Sequence, residues 1–360
     1  MKIAIIAHSH FPIAQPFAGG LESHTYYLTK QLKALGHEVH LYAAEGSDPE
    51  ILHEAICKPT AKDLFQTRSH PVIYREDSYR DLMRKLKLSN YDIVHNNSLH
   101  YVPLHMASTL PMPMISMLHV MPFIPMVNGF RHAVVAKNHK VIAISESIKQ
   151  QWLKVFPQMQ SRVIYNGIDT RIWQYRNLSK NGRAIWFGRI HPDKGTHLAI
   201  EAAIKARMPI DICGPIQDQA YFDQKILPLL DKHKNAVSYY GALTNEELSK
   251  KVSKASVCVC TPCWEEPFGL VVAESLSCGT PIAGFKRGAL PEIIDRRTGV
   301  LVEPNNTDAL AIAMQRAKLI FPYDCLQSAQ QHFTIERMTD QYVNFYRNAV
   351  LEQHLNQISA

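Results

Sequence analysis

No stretch of this 360-residue chain is apolar for long enough to cross a bilayer. The opening run Ile3-Ala4-Ile5-Ile6-Ala7 stops at His8, too short for the core of a secretory signal. The seven cysteines are odd in number and show no disulfide-like spacing, which argues against a stapled secreted module and for a reducing cytoplasm. Cys258, Cys260 and Cys263 lie close together but match no zinc spacing, and no fourth ligand stands beside them. Small buried thiols in tightly packed strands explain them. Dense runs of Lys and Arg interleaved with aromatics are missing too, so the net charge of +7 does not read as a nucleic-acid module. The charge suits a polyanionic ligand instead, with a weakly basic surface touching the inner face of a membrane left open.

What is present is a rhythm. Short apolar runs alternate with helical spacing from end to end, the pattern of an α/β fold with parallel sheets. Strands are expected over residues 2–7, 39–43, 93–95, 114–118, 141–144 and 163–165, with a helix over 22–35 closed by Gly36. A polar, turn-rich stretch over 176–182 reads as a linker, after which the rhythm restarts. Strands are then expected over 184–187, 210–213, 237–240, 257–260 and 281–283, and helices over 197–206, 226–230, 246–254 and 270–277. The architecture implied is two doubly wound, Rossmann-like domains facing a cleft, at 1–175 and 176–335, as a chain of this length also suggests. A final helix over 336–360 crosses back to the first domain.

The stretch Trp264-Glu265-Glu266-Pro267-Phe268-Gly269-Leu270 carries the most chemical information. Glu266 and Glu274 stand with seven residues between them around a turn that becomes an apolar helix. Phe268-Gly269 reads as the loop and Leu270 as the helix start, so unpaired N–H groups and a positive dipole end face whatever binds there. Glu274, about two turns inside the helix, needs a partner among Leu270, Val271, Val272, Ala273 and Leu276. The plain alternative is a loop carboxylate and a surface-helix carboxylate. Two glutamates flanking an anion-binding turn suit a sugar nucleotide better.

Further upstream, Gly188-Arg189 leaves a strand and Lys194-Gly195 starts a helix. Two cations near a positive helix end repel each other unless an anion lies between them. Gly19-Gly20 follows the first strand and opens a helix, where glycine lets backbone approach a phosphate. Cys213-Gly214-Pro215 and Gly241-Ala242-Leu243 end strands with turns, and His119 ends the strand 114–118; alone these are turns and a structural histidine.

Together these strings resemble the retaining glycosyltransferases of family 4: the Glu-x7-Glu helix, the Arg-x4-Lys-Gly clamp, the Gly-Gly loop and the interdomain motif Asn166-Gly167-Ile168-Asp169, in family order. Tyr165 stands where proline is commoner. Gly288-Ala289-Leu290-Pro291-Glu292 is similar to the family's Gly-Gly-x-Pro-Glu loop, and Glu292 is expected to cap the helix it opens. The strings look like those of a small bacterial subgroup. The resemblance implies GT-B architecture and transfer of a sugar from a nucleotide-diphosphate donor, UDP-sugar before GDP-sugar, to an acceptor hydroxyl with retention.

The resemblance also implies roles. Arg189, Lys194, Gly19, Gly20 and the amides of Phe268, Gly269 and Leu270 would hold the diphosphate. Glu266 and His119 would meet the sugar, and Glu274 the ribose. The loops at Gly214, Pro215, Ala242 and Leu243 would wrap the nucleotide base. No cofactor and no metal are expected, because the chain contains no Asp-x-Asp to bind a divalent ion. A binder without turnover and a sugar-nucleotide epimerase stay open, as do the acceptor and the oligomeric state. The acceptor is expected on the first domain, near residues 58–70 and 121–129, which match no motif.

Overall fold

The computed structural model describes residues 1–60 and 70–358. Residues 61–69, which include most of the motif-free stretch 58–70, lie outside them. The chain divides into two compact units, Met1–Tyr165 with Ile335–Ala360, and Asn166–Thr334. The division falls ahead of the polar stretch 176–182. Asn166-Gly167-Ile168-Asp169 therefore belongs wholly to the second unit, where Ile168 bridges Thr334 and donates its amide to Phe333 at 2.8 Å.

In the first unit a seven-stranded sheet has the order β3-β2-β1-β4-β5-β6-β7. The strands are β1 Lys2–Ala7, β2 Glu38–Ala44, β3 Leu52–Cys57, β4 Ile93–Asn97, β5 Met114–Leu118, β6 His139–Ala143 and β7 Ser161–Val163. All pairs are parallel, and β1, β4 and β5 are almost wholly buried, as expected of strands covered by helices on both faces. The helix Gly20–Ala34 buries Leu28 and Leu32 against the sheet and ends before Gly36 at φ 79°. The C-terminal helix Ile335–Ile358 belongs to this unit, with Tyr342 and Tyr346 fully buried. Several elements differ from expectation here: the edge strand Leu52–Cys57 is not among the strands expected, and the last strand is Ser161–Val163 rather than 163–165. A helix over His70–Lys87 precedes β4, and the proline-marked stretch near 121–129 is not irregular but a helix, Ile124–Ala133, opened by Pro125.

The second unit holds a six-stranded parallel sheet in the order β10-β9-β8-β11-β12-β13. Its strands are β8 Ala184–Phe187, β9 Ile210–Cys213, β10 Val237–Tyr239, β11 Val257–Cys260, β12 Ile282–Phe285 and β13 Gly299–Val302. Both sheets wind outward in two directions from a central strand pair, β1/β4 in one unit and β8/β11 in the other. In sheets of this kind, ligands gather beyond the strand C-termini at that reversal. The core of the second unit is built from Trp186, Ile200, Ile210, Ile212, Val257, Val259, Phe285 and Met314, all buried.

Candidate functional site

The second unit's reversal point is built by two loops that lock onto each other. β8 runs into Gly188-Arg189, and a short 3-10 turn over Pro192–Lys194 leads to the helix Thr196–Lys205. β11 exits through Thr261, whose single hydroxyl proton is shared between the carbonyls of Gly195 at 2.9 Å and Lys194 at 3.1 Å. The amide of Cys263 donates to the Asp193 carbonyl at 2.7 Å. Lys194 is thereby aimed at the segment after β11. Its Nζ meets Glu266 Oε2 at 2.7 Å and lies 5.0 Å from the centre of the Trp264 ring. Trp264 Nε1 donates to the same Glu266 oxygen at 3.0 Å. One carboxylate oxygen thus takes both a cation and an indole N–H.

The Gly288 loop braces this segment from behind. Gly288 has φ +59°, and a Cβ there would sit 2.3 Å from both the amide and the carbonyl of Glu266. Ala289 donates its amide to the Glu266 carbonyl at 2.8 Å, and Gly288 donates to Glu265 Oε2 at 2.8 Å. The helix Leu290–Ile293 follows Ala289 and has Glu292 in its first turn.

The helix Leu270–Ser277 begins after Gly269, with Phe268 buried against Phe333. The amides of Leu270 and Val271 have no partner inside the helix, while that of Val272 donates to the Gly269 carbonyl at 2.9 Å. Glu274 is its fifth residue, little more than one turn in rather than two. Glu274 as a residue is half-buried, and among the described residues no hydrogen-bond or ion-pair partner meets its carboxyl. Burial alone pushes its pKa from 4.5 to about 8.

Arg189 is half-buried and donates Nη1 to Gln217 Oε1, while Lys194 pairs with Glu266. Lys194 thus has a carboxylate partner, whereas Arg189 rests on a neutral amide. The loop after β9 presses on the loop after β8: Gly214, at φ +142°, would place a Cβ 1.8 Å from the Gly188 carbonyl oxygen. Ile190 donates its amide to the Pro215 carbonyl at 2.9 Å, and Gly214 donates to the Gly241 carbonyl at 2.7 Å. Ala242 is exposed and Leu243 half-buried beside them, ahead of the helix Asn245–Lys254. These loops share the edge that carries Arg189.

In the first unit, Gly19 is extended and Gly20 starts its helix without a side-chain cap. Glu22 occupies the first turn and pairs with His8 at 2.9 Å, both buried. Part of that helix's positive end is thus met by its own carboxylate. His119, just past β5, is buried; its Nε2 lies 2.9 Å from Asn97 Oδ1 and its ring 5.0 Å from that of His24. Burial holds its pKa well below the usual range, so the ring is neutral.

Comparison with known proteins assigns the family. The model of Glycosyltransferase Family 4 matches residues 18–172, and that of Glycosyl transferases group 1 matches residues 168–319. An uncharacterized glycosyltransferase of Methanocaldococcus jannaschii is 26% identical over 360 residues, covering 88% of each chain. The chain is a GT-B glycosyltransferase of the family 4 type. A glycogen synthase of Mycobacterium tuberculosis is 25% identical over 366 residues, covering 88% of this chain and 85% of its own. Among solved structures, the Anabaena protein HepE in complex with UDP and glucose superposes with a TM-score of 0.74 at 20% identity, over 97% of this chain and all of that one. That likeness shows the GT-B fold.

Within this glycosyltransferase the structure brings Lys194 and Glu266 into contact and sets the Gly214 loop against the strand exit that carries Arg189. Sequence reasoning gave Trp264 no role, although it stands in the most telling string, and passed over Gln217 and Asn97 entirely. Trp264 could have been noticed as an N–H donor two residues from a carboxylate. Gln217 carries no signal in the sequence, because its partner lies 28 residues away, and the partner of Asn97 in the site, His119, lies 22 residues away. Among the described residues no three His, Cys, Asp or Glu side chains are grouped to hold a metal ion. Nor is any helix there long and apolar enough to cross a membrane.

Proposed function

We propose that this enzyme transfers a glycosyl unit from a nucleotide-diphosphate sugar to an acceptor hydroxyl with retention of anomeric configuration and without a metal ion. UDP-sugars are the favoured donors and GDP-sugars the second choice. The observation that carries the reading is the joined pair Lys194–Glu266 at the strand reversal, with Trp264 on the same oxygen. A cation and a carboxylate so placed suit a ligand that carries both a diphosphate and a polyol. The UDP and glucose held by the Anabaena relative are in keeping with such a donor.

Arg189, Lys194, the Gly19-Gly20 turn and the amides after Phe268 take the diphosphate in this scheme. Their positive charge stabilises the leaving group as the bond from the anomeric carbon to the phosphate oxygen breaks. The acceptor oxygen bonds to the same face of that carbon, and the departing phosphate oxygen takes the acceptor's proton. Glu266 and His119 orient the sugar, Glu274 holds the ribose, and the loops at Gly214–Pro215 and Ala242–Leu243 wrap the base. Donor transfer of this kind suits a bacterial cytoplasm, with the acceptor bound by the first unit.

Incubation with labelled UDP-, GDP- and ADP-sugars tests the proposal. Release of nucleoside diphosphate with a labelled product of retained configuration is expected. Tight binding of every donor without release, across a panel of acceptors, would refute it.

A further inference from the structure

Behind His119 runs a chain of hydrogen bonds whose directions can all be assigned. Thr25 donates its hydroxyl proton to the Leu21 carbonyl at 2.8 Å, so its Oγ1 is left as an acceptor. Asn97 Nδ2 donates to that oxygen at 3.2 Å, which settles which way the amide faces. Asn97 Oδ1 then points at two rings, His119 Nε2 at 2.9 Å and His95 Nε2 at 3.1 Å. A carbonyl oxygen only accepts, so both rings carry their proton on Nε2. At the far side of His95, Nδ1 lies 2.6 Å from the Tyr346 hydroxyl and accepts its proton. Tyr346 comes from the C-terminal helix, so the chain of bonds begins on the element that returns to this unit.

Burial keeps the network neutral: the His95 pKa falls to about 3, and that of His119 lies well below the usual value. A neutral imidazole has one N–H, and His119 gives its own to Asn97. Its Nδ1 is a bare lone pair, and among the described residues nothing bonds to it.

We propose that Asn97 is a positioning residue that locks His119 as the Nε2–H tautomer, so that His119 meets substrate as a hydrogen-bond acceptor for a hydroxyl and not as a proton donor. The inference rests on the reading above that His119 faces the donor sugar, and it deepens that reading into a rule of specificity. A sugar hydroxyl satisfies the lone pair. A fluorine or a carboxylate in its place brings no proton and is rejected.

The test uses the full chain with ¹⁵N-labelled histidine and long-range ¹H–¹⁵N NMR near neutral pH. His119 and His95 are both expected as Nε2–H, with Nδ1 unprotonated. Asn97→Leu should free His119 to populate both tautomers and lower kcat by about ten-fold to a hundred-fold, the scale found for outer partners of a metal-bound histidine. Asn97→Asp should restore both the tautomer and most of the rate, because its carboxylate still accepts from the two rings and the Thr25 hydroxyl can turn to donate. One donor from a set of monofluorinated sugars should lose turnover in the unsubstituted enzyme and lose no more when His119 is replaced by alanine.

His119 found as Nδ1–H in the unsubstituted protein overturns the proposal, even with normal release of nucleoside diphosphate, and leaves the transfer reading standing. The expected tautomer with an unchanged rate in Asn97→Leu also overturns it. The expected tautomer without any release of nucleoside diphosphate sinks the transfer reading and, with it, the role of the lone pair. Should Asn97→Leu fail to fold, the unsubstituted spectrum, the Asn97→Asp rate and the fluorinated donors decide.

Discussion

Glu274→Gln keeps the shape of the side chain and removes only its ability to ionise, so it isolates what the carboxylate does. In the ligand-free enzyme burial holds this carboxyl near a pKa of about 8. At pH 7 it is therefore largely protonated, and ionising it to receive two ribose hydroxyls costs about 1.4 kcal/mol, one pH unit's worth. Hydrogen bonds to a charged acceptor return about 1.5–3 kcal/mol. The net gain over glutamine is then roughly 0.1–1.6 kcal/mol at pH 7, at most about fifteen-fold in affinity. At pH 9 the carboxylate is already ionised and the full gain appears, about ten-fold to a hundred-fold.

Calorimetry with the nucleoside diphosphate alone, at both pH values, checks the argument. Glu274→Gln should lose more affinity at pH 9 than at pH 7. The unsubstituted enzyme should release close to one proton per nucleotide bound at pH 7, read from buffers of different ionisation enthalpy, and the variant none. Stability carries the same signature. The folded pKa is raised above 4.5, so its contribution is complete below that value and is lost as pH climbs toward 8. Unfolding of the unsubstituted enzyme should therefore become easier than that of the variant across this window. Glu266→Gln serves as the control, because Glu266 already has two partners; it should lower kcat and leave nucleotide affinity intact. An affinity loss that is larger at pH 7, or that appears in Glu266→Gln and not in Glu274→Gln, refutes the reasoning.

Arg189→Ala and Lys194→Ala should each cost about 2.7–4 kcal/mol of transition-state stabilisation while thermal stability changes little; near-normal kcat in both would remove the clamp. Activity should survive EDTA, and its abolition with rescue by magnesium or manganese would show that the cations do not suffice. Gly288→Ala should cost about 1–3 kcal/mol in chemical denaturation, because the added Cβ needs a strained φ and meets the Glu266 backbone at 2.3 Å. Unaltered stability there would mean that the Gly288 loop does not brace Glu266.

Much of the fold was legible because buried parallel strands are written as short apolar runs. Ile210–Cys213 and Val257–Cys260 read as strands from their residues alone and are fully buried. The strands that were missed lie at sheet edges. In Leu52–Cys57 alternate residues are exposed, and Gly299–Val302 is half-buried, so neither reads as a buried run. The helix His70–Lys87 was passed over although Tyr79, Leu82, Met83 and Leu86 carry helical spacing and are buried.

Local strings also suggested many of the residues proposed for the site, though not Gln217 or Asn97, because a turn, a helix start and a carboxylate are encoded by near neighbours. What only the tertiary structure decided is which of them meet. Strand order places the exits of β8 and β11 side by side and so joins Lys194 to Glu266 across 72 residues. The same winding sets Asn97 between His95 and His119 and brings Tyr346 to them from 251 residues beyond His95. The protonation of these groups likewise follows from burial, which exists only once the sheets are covered. A sequence lists the carboxyl of Glu274 and the ring of His119; packing raises the pKa of the first and lowers that of the second.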